Sequence, residues 1–193
     1  MKKRHLLIFG LMLVCFPCFS RLNAEKNVKK KSWVKVSCDS FTLILSKNAD
    51  TETLYGRIWA RRLKEQIRME KPETKTDKEK LKLLIGRMSA IFEQVQKLRK
   101  QSPELKGNER IVILQNRTQL RKMFIKLYGR DYPRGISFYS SRVNTVFTTE
   151  DVINAQILAH EMTHMVNFLA FGDKMDEDDD EDSAYTMETY FRK

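Results

Sequence analysis

The chain has 193 residues, 41% of them hydrophobic, with only seven glycines and four prolines, which excludes a collagen-like, low-complexity or disordered polymer. Thirty-six Lys and Arg against 25 Asp and Glu give a formal net charge of +11. No interleaving of basic and aromatic residues accompanies that excess, so it reads as a solvated basic face and not as a nucleic-acid surface.

Residues 1–20 are composed like a secretory signal peptide. Lys2, Lys3 and Arg4 precede the apolar run "LLIFGLMLVCFPCF", which is too short for a comfortable membrane span. Cys18 and Ser20 supply small residues at −3 and −1, which predicts cleavage after Ser20. The expectation is an exported protein, periplasmic or secreted, with no stable membrane span after cleavage. It would form a single domain over residues 25–193, with an N-terminal part (25–130) and a core (131–193). Cleavage leaves Cys38 as the one cysteine, so no internal disulfide can form. The fold must then be held by its core, by a metal, or by both, and Cys38 is expected to be a buried small residue.

"WVKVSCDSFTLILS", residues 33–46, alternates apolar and polar around Asp39-Ser40, a hairpin pattern. Asp50 or Thr51 opens a helix expected to run to about Met69. Pro72 and the charges of 70–80 interrupt it. A second helix is predicted from Asp77 to about Gln101. Leu81, Leu84, Ile85, Met88, Ile91, Phe92, Val95 and Leu98 recur along it at spacings of three and four. "RIVILQN" reads as a strand. "RTQLRKMFIKLYGR" reads as a helix with Leu120, Phe124 and Leu127 inward and Gly129 at its end. "GISFYSSRVNTVFTT" reads as two short strands around Ser141-Arg142. Thr148 or Thr149 is expected to cap a helix over 150–170 that ends at Gly172, with Glu150 and Asp151 in its first turn. The acidic run 176–182, "DEDDDED", reads as a loop, and "SAYTMETYF" as a last short helix. The fold class is α+β, a small mixed sheet leading into one long apolar helix.

That helix carries His160-Glu161-Met162-Thr163-His164. Histidines four apart stand one turn apart on one helix face, so two imidazoles can reach one ion at the usual zinc distance of about 2.0–2.1 Å. Glu161 is about 100° further round, too far for a third ligand and well placed to act on a water that the metal activates. Of the three histidines, His5 lies in the predicted leader and the other two fall in this motif. A third ligand must therefore be a carboxylate. Glu177, Glu181, Glu188 and the aspartates between are the candidates. Glu181 is preferred, with Glu188 as the alternative.

"LAHEMTH" resembles the active-site helix of the zincin metallopeptidases, in particular the gluzincins, and "EDSAYTMETYF" looks like their glutamate helix. The likeness is closest over 136–169, looser over 176–191 and slight over 25–130. It implies a zincin-like fold and a Zn2+-dependent peptidase acting on a peptide or protein substrate. His160, His164 and Glu181 would bind zinc and Glu161 would be the general base. By the same resemblance, Tyr185 or Tyr190 would stabilise the oxyanion, and the strand around Asn144–Phe147 would bind the substrate backbone. Two other functions fit the sequence. One is an inactive binding module of the same fold with a basic docking surface. The other is a zinc hydrolase acting on a bond other than a peptide. Oligomeric state is not written in the sequence.

Overall fold

The computed structural model describes residues 33–59, 77–132 and 135–192. The expected signal peptide, residues 1–20, lies outside them, as do residues 60–69 of the first expected helix.

Within these residues the chain is a mixed α+β fold. Strands β1 (Trp33–Ser37) and β2 (Thr42–Ser46) form the expected antiparallel hairpin. Its turn closes with Cys38 N–H donating to the Phe41 carbonyl at 3.0 Å. Cys38 is half-buried, its Sγ 3.2 Å from Ser89 Oγ. Helix α1 (Thr51–Arg57) starts where predicted, with the Asp50 carboxylate accepting from the N–H groups of Glu52 and Thr53. It ends early, at Arg57, with Ile58 as its cap, and the described chain stops two residues later. Helix α2 (Asp77–Arg99) buries the predicted stripe, Leu84, Met88, Ile91, Phe92 and Val95 being almost fully inaccessible.

Strand β3 (Arg110–Leu114) and helix α3 (Arg117–Tyr128) follow as expected. Asn116 caps α3, and Gly129, at φ 71°, provides the left-handed residue that ends it. Strands β4 (Phe138–Ser140) and β5 (Thr145–Thr149) form the second hairpin. The five strands make one sheet in the order β1-β2-β3-β5-β4, with β2, β3 and β5 parallel and β1 and β4 antiparallel at the two edges.

Period-two alternation gives the sheet two apolar faces. Leu43, Leu45, Ile111, Ile113 and Val146 pack on the side of α1, α2 and helix α4 (Ala155–Phe171). Val112, Leu114, Phe138 and Phe147 pack with α3 through Leu120 and Phe124.

Two boundaries differ from the sequence reading. Residues Thr145–Thr149 belong to β5, and α4 begins only at Ala155. Its cap is Asn154, whose side chain accepts from Ile157 N–H at 3.0 Å. The β-branched run that looked like a cap is taken by the sheet, where such side chains pack best. The acidic run is also not a loop. Helix α5 spans Glu177–Tyr190, with Asp176 as its cap and Glu177, Asp178, Asp179 and Asp180 in its first turn. The exposed N–H groups and dipole of a helix start favour negative charge there.

Candidate metal centre

Helix α4 buries nine of its 17 residues, with Leu158, Ala159, Met162 and Val166 inaccessible. Its motif residues face two ways. His160 and His164 turn toward α5, and Glu161 turns toward β4. Gly172, the α4 C-cap, has φ 63° and ψ −139°, a conformation open to glycine because it lacks Cβ. A short 3-10 turn, Gly172–Lys174, then leads into α5. His160 meets Glu188, and His164 meets Asp180 and Glu181. The pairs run in opposite senses along the two helices, so α4 and α5 are antiparallel.

The two imidazole Nε2 atoms are 3.1 Å apart. Glu181 Oε2 is 3.7 Å from His160 Nε2, and Glu181 Oε1 is 3.6 Å from His164 Nε2. Donor atoms held about 2.0–2.1 Å from a tetrahedral centre lie about 3.3 Å from one another. The two Nε2 atoms are near that spacing, Glu181 approaches each with a different oxygen, and one donor atom from each residue lies within 4.8 Å of the others, so His160, His164 and Glu181 together can hold a metal ion.

The outer nitrogens support this orientation. His164 Nδ1 is 2.7 Å from Asp180 Oδ2. An ionised carboxylate only accepts, so the proton sits on Nδ1 and the Nε2 lone pair faces His160 and Glu181. Glu188 Oε2 stands 3.4 Å from His160 Nδ1, although that buried nitrogen makes no hydrogen bond. Glu188, the alternative third ligand, thus lies on the far side of His160 from Glu181. One acidic helix supplies the inward carboxylate and the carboxylates behind both imidazoles.

Electrostatics separate the two histidines. Burial pulls His160 below its ordinary pKa, reinforced by neighbouring His164. Burial also opposes protonation of His164, but the Asp180 hydrogen bond and the nearby Glu161, Asp180 and Glu181 carboxylates outweigh it and leave that pKa raised.

Glu161 is buried, 5% exposed. Its Oε1 accepts from Ser137 Oγ at 2.5 Å, and the backbone N–H of Tyr139 also donates to its carboxylate. Burial dominates and pushes its pKa up to about 7. A carboxyl group with that value exchanges protons readily at neutral pH.

The histidines and Glu161 open onto a cleft of about 570 Å³. Tyr128, Tyr132, Phe138, Tyr139 and Phe168 contribute aromatic surface, and Asp173 and Glu177 contribute charge. Tyr132 has no counterpart in the sequence reading. Its hydroxyl donates to the Ser137 carbonyl at 3.2 Å, and burial followed by the field of Glu161 and Glu181 raises its pKa. No periodic pattern marks it, because it lies in a loop placed by tertiary packing. Tyr185 is 58% exposed and packs edge-on against His160, with ring centres 5.0 Å apart. The Tyr190 hydroxyl accepts from Gln94 Nε2 at 3.1 Å, a contact to α2.

The expected substrate strand needs correction. β5 is hydrogen-bonded to β3 on one side and β4 on the other, so Asn144–Phe147 has no free edge. The sheet edge beside Glu161 is β4.

Among the described residues, no helix is long and apolar enough to cross a membrane. Compared with protein-family models, curated proteins and solved structures, the chain matches none.

Proposed function

We propose that the chain is an exported, zinc-dependent metallopeptidase of zincin-like fold that hydrolyses peptide bonds. The observation carrying this reading is the convergence of His160 Nε2, His164 Nε2 and the Glu181 carboxylate beside a buried carboxyl group, Glu161, at an open cleft.

Two imidazoles and one carboxylate suit zinc, and three protein ligands leave a position open. Bound there, zinc would polarise a peptide carbonyl and acidify water. The remaining work falls to side chains. Glu161 takes the proton from the attacking water and passes it to the leaving amine, with its buried carboxyl facing the cleft beside the histidines. Ser137 and the Tyr139 N–H hold its carboxylate in place meanwhile. The outer edge of β4 offers backbone groups to an extended substrate, which would lie across Glu161 by strand addition. Tyr132 lines the cleft in the field of Glu161 and Glu181 and would have to turn its hydroxyl from the Ser137 carbonyl to donate to the oxyanion, and Tyr185, packed on His160, is the alternative donor.

Zinc content and cleavage of a broad peptide library, measured on the full chain and on Glu161→Gln, test this. The expected result is about one zinc per chain in both, with cleavage in the wild type and a loss of roughly 100-fold or more in the variant. Zinc in both with no cleavage in either would instead favour a binding module of the same fold. No zinc in either would overturn the reading altogether.

A further inference from the structure

We propose that Asn167 is a positioning residue, which clamps Asp180 against His164 and so fixes the register in which α5 presents Glu181 to the two histidines. The inference rests on the reading of His160, His164 and Glu181 as metal ligands.

Asn167 lies one turn beyond His164 on α4 and is 1% exposed. Both protons of its amide are used: Nδ2 donates to Asp180 Oδ1 at 2.6 Å and to Ser183 Oγ at 2.8 Å. Its Oδ1 accepts from Arg99 Nε at 3.2 Å. Arg99 is the last residue of α2, so one side chain ties three helices together. Ser183 Oγ in turn donates to the Asp180 carbonyl at 2.8 Å. Asp180 is thereby held by its backbone and by one carboxylate oxygen, while its other oxygen meets His164 Nδ1.

The clamp has a specific task because the other anchors of α5, Tyr185 on His160, Tyr190 on Gln94 and the buried C-cap Phe191, lie in its C-terminal half, beyond Asp180 and Glu181. Only Ser183, Ala184 and Met187 are buried along it. A slip of one residue turns a helix by about 100°, which would swing Glu181 away from both Nε2 atoms. Apolar contacts of that size tolerate a slip, whereas directional hydrogen bonds from a buried amide do not. Arg99 places a cation behind the pair and offsets the crowd of carboxylates in the first turn.

The test uses the full chain and Co2+ as the probe. Asn167→Leu and Arg99→Met are compared with wild type by Co2+ dissociation constant, by the cobalt d–d spectrum, and by the His164 tautomer in metal-free protein from nitrogen NMR. Asn167→Leu should weaken Co2+ binding about 10- to 100-fold, alter the d–d band and lose the Nδ1–H tautomer of His164. Arg99→Met should shift all three in the same direction by less. Should Asn167→Leu fail to fold, Arg99→Met decides, since Arg99 is only half-buried. Wild-type affinity, spectrum and tautomer in a folded variant would overturn the proposal. If the wild type takes up no cobalt, the ligand reading has failed. The tautomer still judges the clamp: its loss in the variants supports it, and its retention overturns it.

Discussion

Glu161 and Ser137 share a hydrogen bond in a buried wall of the cleft, and the strength of such bonds depends on how little water competes for them. A bond to a charged group contributes about 1.5–3 kcal/mol, so Ser137→Ala should lower kcat about ten- to hundredfold. KM and zinc content should stay near wild type, which steady-state kinetics with metal analysis would check. The two glutamates of α5 should separate as sharply. Glu181 faces both Nε2 atoms and Glu188 faces only His160 Nδ1. Equilibrium dialysis should therefore show Glu181→Gln abolishing stoichiometric zinc binding, and Glu188→Gln weakening it about 10- to 100-fold. The motif histidines and Glu161 were legible because a helix turns a spacing of four into one shared face. Asp180 and Asn167 were not, since their roles come from helices meeting in space.

At the level of elements, the strongest apolar periodicities predicted what formed. The stripe of α2 and the Gly129 stop of α3 carry their own local physics. Two helix starts misled for different reasons. Thr148 and Thr149 are plausible caps in isolation, yet they complete the ladder between β5 and β3, and Asn154 takes the cap. The acidic run repels itself in an isolated peptide, but its carboxylates gain from the α5 helix start and from the histidines beside it. Asn154→Ala removes the cap of the helix bearing the candidate site. It should cost about 1 kcal/mol, seen as a lower urea midpoint at unchanged slope.

For the molecule as a whole, the sheet order was the part least visible in advance. Parallel neighbours are joined by long crossovers, so no local signal says that β5 lies between β3 and β4. That order puts β4 at the sheet edge beside Glu161. Metal binding should also register globally. Zinc at 100 times its Kd should raise the unfolding free energy by about 2.7 kcal/mol, and a chelator should reverse the gain in Tm. Zinc affinity should fall as pH drops through the imidazole range, because both histidines must shed their protons to bind. His164, with its raised pKa, takes up its proton first as pH falls, and dialysis between pH 8 and pH 5 would trace the loss. One feature of the architecture sets how that loss proceeds. Glu181, Asp180 and Glu188 all ride on α5, which follows the Gly172 cap of α4 and packs on the core through Ala184, Met187 and Phe191. They therefore depart together when that helix lifts. Amide hydrogens of α5 should exchange with solvent far sooner than those of α4, and saturating zinc should slow that exchange. The metal would then act as a latch on a cooperative unit, making the open fraction of the helix a gauge of the zinc available around the protein.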